Sequence, residues 1–176
     1  EHFPNRNFRK FVVDQYFSMK SKQEIKESII ELMYKDLSEE VCEIQLMPES
    51  GSSRVYYRIL TKNNTYIATY NSNVEENKAF FKFSEHFKKN NLPVPELLAI
   101  NKENDCYIQS DLGDISLFNH VQDCVKNNLY NEETINLYKE VISNLVDFQI
   151  KGNKNLDYSV AYPSASFDRN SIIDDL

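Results

Sequence analysis

Apolar positions along the chain switch between a three-to-four-residue period and a two-residue period, and the switches mark its elements. Ser21-Lys-Gln-Glu24 has the form of a capping box, and Ile25, Ile29, Met33, Tyr34 and Leu37 then share one helical face. Val41 to Met47 alternates as a strand does. The runs 54–62 and 65–70 are rich in Tyr, Ile and Val and meet at Asn63-Asn64. Asn tolerates positive φ, so this junction predicts a β-hairpin. Ser72-Asn-Val-Glu75 reads as a second capping box. The helix it opens carries Phe80, Phe83 and Phe87 at spacings of three and four, a stripe expected to pack that helix onto the sheet. It ends near Asn90-Asn91, because Leu92-Pro-Val-Pro95 cannot be helical. Short strands at 97–101 and 105–110 follow, with a turn at Lys102-Glu-Asn-Asp105.

Beyond Asp111-Leu-Gly-Asp114 the pattern becomes helical. Leu117, Val121, Cys124, Val125 and Leu129 form one stripe; Ile135, Tyr138, Ile142, Leu145, Val146 and Gln149 form another. Asn131 caps the second, with Glu132 and Glu133 in its first turn. A loop over 152–166 leads to a further helix that opens near Phe167. The apolar residues of 1–18 (Phe3, Phe8, Phe11, Val12, Val13, Tyr16, Phe17) lack a clean period and read as an extension outside the core.

At 176 residues, 41% hydrophobic and with 11 Phe and 11 Tyr, the chain has material for a genuine core. Its formal charge of −7 opposes a nucleic-acid or anionic-membrane partner, both of which want a basic face. No apolar run approaches the roughly 20 residues of a spanning helix, and no signal-peptide pattern is present. Cys42, Cys106 and Cys124 are odd in number and widely spaced, which opposes a disulfide framework or a zinc site. These features predict a soluble, reduced, cytoplasmic protein. His2, His86 and His120 are isolated and read as surface or satisfied residues, not ligands.

The most informative stretch is Glu49-Ser-Gly-Ser-Ser-Arg-Val-Tyr-Tyr-Arg58. A small-residue loop between two strands can aim backbone N–H groups at a phosphate, since only Gly and small hydroxyl residues let the backbone approach that closely. An ordinary hairpin turn has the same composition. Five further segments accompany the loop: Tyr66-Ile-Ala-Thr-Tyr-Asn71, Glu76-Asn-Lys-Ala-Phe80, Leu92-Pro-Val-Pro-Glu96, Tyr107-Ile-Gln-Ser-Asp-Leu-Gly-Asp114, and a run from Leu156-Asp-Tyr-Ser-Val through Tyr162-Pro163 to Phe167-Asp168. In this order and spacing the chain resembles the aminoglycoside phosphotransferase and choline kinase superfamily, within it the bacterial sugar-kinase-like branch.

The resemblance implies an α+β, protein-kinase-like small lobe: a five-stranded antiparallel sheet with a packed helix, over residues 19–110. A hinge at 111–114 and the truncated start of a helical large lobe at 115–176 would follow. Ser50, Gly51, Ser52, Ser53 and Arg54 would lie over the phosphates of ATP. Glu76 would match the small-lobe glutamate that orients the phosphate-binding cation; a solvated first-turn charge is its plain alternative. Gln109, Ser110, Asp111 and Leu112 would match the hinge that meets the adenine edge, and Ile59, Ile67 and Ala68 would wall the pocket, with ordinary core as their equal alternative.

Two departures from the family stand out. Its third-strand Lys, which holds the α/β-phosphates, is absent from Tyr66-Ile-Ala-Thr-Tyr70, where Thr69 or a neighbour falls at the expected place. Arg54 and Arg58 are the candidate replacements, Arg58 above all. No stretch of 115–176 matches the family's catalytic loop and metal-binding Asp, so no catalytic or metal residue is assigned in this chain. The expected function is the ATP-binding portion of a small-molecule kinase. It would work with ATP and Mg2+ on a hydroxyl of a sugar or aminoglycoside-like acceptor, and this portion would be inactive alone. A degenerate, non-catalytic lobe used as a regulatory or binding module is the alternative. Half-covered apolar helices predict self-association.

Overall fold

A computed structural model describes residues 20–48, 51–126, 132–166 and Ile173. The expected extension over 1–18, Leu129 of the first helical stripe, the Asn131 cap and the rest of the helix opening near Phe167 lie outside the described residues.

In chain order the elements are α1 (Lys22–Leu37), β1 (Val41–Leu46), β2 (Val55–Thr61), β3 (Thr65–Tyr70), α2 (Val74–Lys89), β4 (Leu97–Ile100), β5 (Cys106–Ser110), α3 (Leu117–Lys126) and α4 (Glu132–Ile150), with a 3-10 turn at Tyr158–Val160. The fold is α+β: one five-stranded antiparallel sheet in the order β1-β2-β3-β5-β4, and four α-helices among the described residues. None of those helices is long and apolar enough to cross a membrane. Two compact units divide the chain, one of residues 1–78 and 97–110, the other of 79–96 and 111–176.

In the first unit α1 starts as its residues dictate. Ser21 Oγ accepts from the backbone N–H of Glu24 at 3.2 Å, and Glu24 Oε2 accepts from Ser21 N–H at 2.7 Å, the reciprocal bonds of a capping box. The helix ends at Ser38, which turns left-handed at φ 55°, and Glu39 N–H donates to the Met33 carbonyl at 3.0 Å. Ile25, Ile29, Leu32 and Met33 of α1 are buried against one sheet face. Cross-strand partners share a face, so Tyr57, Ala68 and Ile108 form one row of that core, with Tyr70 and Cys106 beside them. Ile29 and Met33, both fully buried, each contribute about 1.5–3 kcal/mol.

The β2–β3 hairpin forms where the sequence predicts it, but by another device. Neither Asn63 nor Asn64 takes positive φ. Thr61 closes the loop instead: its N–H and Oγ1 donate to the Asn64 carbonyl at 3.0 and 3.1 Å, and its Oγ1 accepts from Asn64 N–H at 3.1 Å. The turn before β5 does use a left-handed residue, Asn104 at φ 59°. Asn101 Oδ1 accepts from the amides of Asp105 and Cys106 there.

The second unit holds most of α2 together with α3 and α4. Phe80, Phe83 and Phe87 are half-buried, and Phe87 meets Phe148 of α4 edge-on at 5.4 Å. Gly152 lets the turn after α4 come this close. A Cβ there would sit 2.3 Å from the Phe148 carbonyl oxygen and 3.1 Å from Leu92 Cδ1. His86 is a satisfied residue, its Nε2 lying 2.8 Å from the Gly152 carbonyl oxygen. Ile135, Ile142, Leu145 and Val146 of α4 are exposed.

Candidate functional site

The sheet has a second face, away from α1, and β2 sends Tyr56 and Arg58 to it by alternation. Register places Tyr56 opposite Thr69, Thr69 opposite Tyr107, and Arg58 opposite Ile67, which in turn faces Gln109. This face is more polar than the other. Thr69 and Tyr107 are buried, and Tyr56, Arg58 and Gln109 partly so. Burial pushes the Tyr107 phenol up to about 12, against the opposing pull of the nearby Arg54 charge.

Just before β2 lies the small-residue loop. Ser50 lies outside the described residues; Gly51, Ser52 and Ser53 are exposed bends. A Cβ at Gly51 would meet nothing within 4 Å, so the protein's own packing does not require glycine there. The loop delivers Arg54, and Arg54 Nη2 donates to Glu76 Oε1 at 2.8 Å across side chains only 18% and 29% exposed. The glutamate therefore meets an arginine from the loop. Arg58, the replacement favoured from sequence, stands four residues further on, within β2, opposite Gln45 of β1 and Ile67 of β3.

The start of α2 is one residue later than the sequence suggests. Asn73, not Ser72, is the cap: its Oδ1 accepts from Glu76 N–H at 3.1 Å. That puts Glu76 where Glu75 was expected, in the third helical position. Asn71 Nδ2 donates to Glu76 Oε2 at 3.2 Å, so the two carboxylate oxygens have different partners. Sequence reasoning missed Asn71; an Asn directly after a strand and two residues before a cap is its only local signal.

The remaining expected residues divide by face and by unit. Ala68 and Ile59 belong to the α1 core and are fully buried, so of the three expected pocket walls only Ile67 shares the Arg58 face. Alternation is the reason: Ala68 lies between Ile67 and Thr69 and must point the other way. Gln109 and Ser110 are the last residues of β5, and Gln109 Oε1 is buried without a hydrogen-bond partner among the described residues. β4 begins at Leu97, opposite Gln109, so its ladder with β5 starts level with that residue; Ser110 pairs with Tyr66 of β3. Asp111 and Leu112 belong to the second unit. Asp111 Oδ1 accepts from Gly113 N–H at 2.8 Å, Gly113 takes φ 85°, and Leu112 is exposed.

Among the described residues no three His, Cys, Asp or Glu side chains gather as metal ligands. A cavity of about 300 Å³ beside α1 and β4 and another of about 390 Å³ beside α1 and β1 include none of the loop, Arg54 or Glu76. No protein-family model matches the chain, and no curated protein matches it.

Proposed function

We propose that this chain is the ATP-binding part of a small-molecule kinase, a protein-kinase-like small lobe with the start of a helical lobe. The observation that carries the reading is the Arg54–Glu76 pair: a loop of Gly and Ser hands a guanidinium to a glutamate on the helix after β3, at 2.8 Å. In this reading the amides of 51–53 and Arg54 face the phosphates, Ile67 and the end of β5 face the base, and Mg2+ accompanies the nucleotide. The acceptor is a hydroxyl of a sugar or aminoglycoside-like compound, a choice that rests on the sequence resemblance. No residue of this chain is assigned the transfer step or the metal.

Thr69 supports a second reading. By the resemblance Thr69 or a neighbour takes the place of the third-strand lysine of such kinases; Thr69 is fully buried, which suits a lobe retained as a regulatory or binding module.

A thermal melt with and without Mg-ATP tests the nucleotide site. At 100 times its dissociation constant the ligand adds about 2.7 kcal/mol, a rise of several degrees in a chain of this size. No rise with ATP, at concentrations up to several millimolar, would refute nucleotide binding by this chain. Binding without turnover of any sugar or aminoglycoside acceptor would favour the module.

A further inference from the structure

The two best-defined helix starts use a third-position glutamate in opposite ways. In α1 Glu24 folds back, its Oε2 accepting from the amide of the cap residue Ser21 at 2.7 Å. In α2 Glu76 holds the equivalent place behind Asn73, yet its carboxylate does not fold back. The Asn73 amide donates to Asn71 Oδ1 instead, at 3.1 Å. Asn71 thus takes over the duty that a capping-box glutamate performs. Its Nδ2 holds Glu76 Oε2 at 3.2 Å, which turns Oε1 toward Arg54. Asn71 is itself anchored and 2% exposed: its N–H donates to the Asp105 carbonyl at 2.9 Å, and its carbonyl accepts from Asn77 Nδ2 at 2.8 Å.

We propose that Arg54 is the phosphate-binding cation of this lobe and that Asn71 is its positioning residue, acting through Glu76. The proposal rests on the nucleotide-binding reading above. A guanidinium carries its donors in a rigid planar fork, so a carboxylate fixed on one edge orients the whole group. An arginine ordered before ligand arrives loses less freedom on binding. A capping box of the α1 kind would satisfy the same amides without directing a carboxylate at Arg54.

Titration calorimetry on the full chain, with ATP, ADP and adenosine as separate probes in the presence of Mg2+, tests this. Arg54→Ala should weaken ATP about 10- to 100-fold, the range for losing a charged hydrogen bond, and leave adenosine within about twofold. Arg58→Ala should cost ATP less than Arg54→Ala. Asn71→Ala should weaken ATP about 3- to 10-fold in the wild-type background and hardly at all in the Arg54→Ala background. Because Asn71 is buried, Glu76→Gln, at a partly exposed position, serves as the second variant and should behave as Asn71→Ala does. Equal losses of ATP and adenosine on Arg54→Ala would overturn the cation assignment. Equal losses on Asn71→Ala and on Glu76→Gln with and without Arg54 would overturn the positioning role. A wild-type chain that binds none of the three probes refutes the nucleotide reading itself, an outcome distinct from wild-type binding that is indifferent to Arg54.

Discussion

Asn77 lies fully buried in the first turn of α2, and its Nδ2 donates to the carbonyls of Asn71 and Asn104, each at 2.8 Å. One side chain thus ties the helix that carries Glu76 to the end of β3 and to the turn before β5. Its Oδ1 is buried with no partner among the described residues, so the donor end alone makes the connection. Asn77→Ala removes both bonds. At about 1–1.5 kcal/mol each the loss is about 2–3 kcal/mol, a fall in Tm of roughly 5–10 °C for a chain of this length. Asn77→Asp keeps the volume but sets a carboxylate oxygen against two carbonyl oxygens. It should cost more than Ala, above about 3 kcal/mol, because a buried charge is then left without a donor. Such a carboxyl titrates above its ordinary value, since burial disfavours its charged form. Its penalty therefore grows as pH rises above the unfolded carboxylate range and fades toward pH 4. Urea unfolding at pH 7 and at pH 4.5 reads both effects. An Asp variant as stable as wild type, or less damaged than the Ala variant at pH 7, would show that volume and not the paired donors holds this end of α2.

Two further outcomes follow from the same structure. Burial pushes the Cys106 thiol up to about 12, while Cys42 is exposed, so a disulfide reagent at pH 8 should react fast with Cys42 and reach Cys106 only on unfolding; a fast phase that survives in Cys42→Ser would contradict this. The side-chain and backbone hydrogen bonds of Ser21 hold the Glu24 carboxyl below its ordinary value. A depressed carboxyl stabilises the fold above its unfolded pKa and stops doing so as pH falls through the folded one. The stability difference between wild type and Glu24→Gln should therefore be present at pH 7 and shrink between about pH 4.5 and pH 3, with Ser21→Ala costing about 1 kcal/mol at pH 7; a pH-independent difference would refute the capping role.

Element order was legible in the sequence because its causes are local. The period of apolar residues marked the five strands and the four helices of the described residues, Ser21 and Glu24 announced the start of α1, and Pro93 and Pro95 ended α2. Local signals also misplaced details where two chemistries compete. Ser72 and Asn73 can both cap a helix, and Asn73 does. Asn63 and Asn64 invite positive φ, yet the Thr61 hydroxyl makes it unnecessary.

The site divides along the same line. Alternation says that Arg54, Tyr56 and Arg58 share a face, and that Ala68 opposes Ile67 and Thr69. It cannot say which face α1 will cover, and that decision sent Ile59 and Ala68 into the core. Nor can it bring the loop before β2 to the first turn of α2. The meeting of Arg54 with Glu76, and the use of Asn71 to turn that glutamate outward, depend on contacts between segments distant in the chain. Sequence determines what each segment prefers alone, because those preferences come from neighbours within a turn or a strand pair. Tertiary structure decides which charged groups face one another, because only packing sets the distances over which charges act.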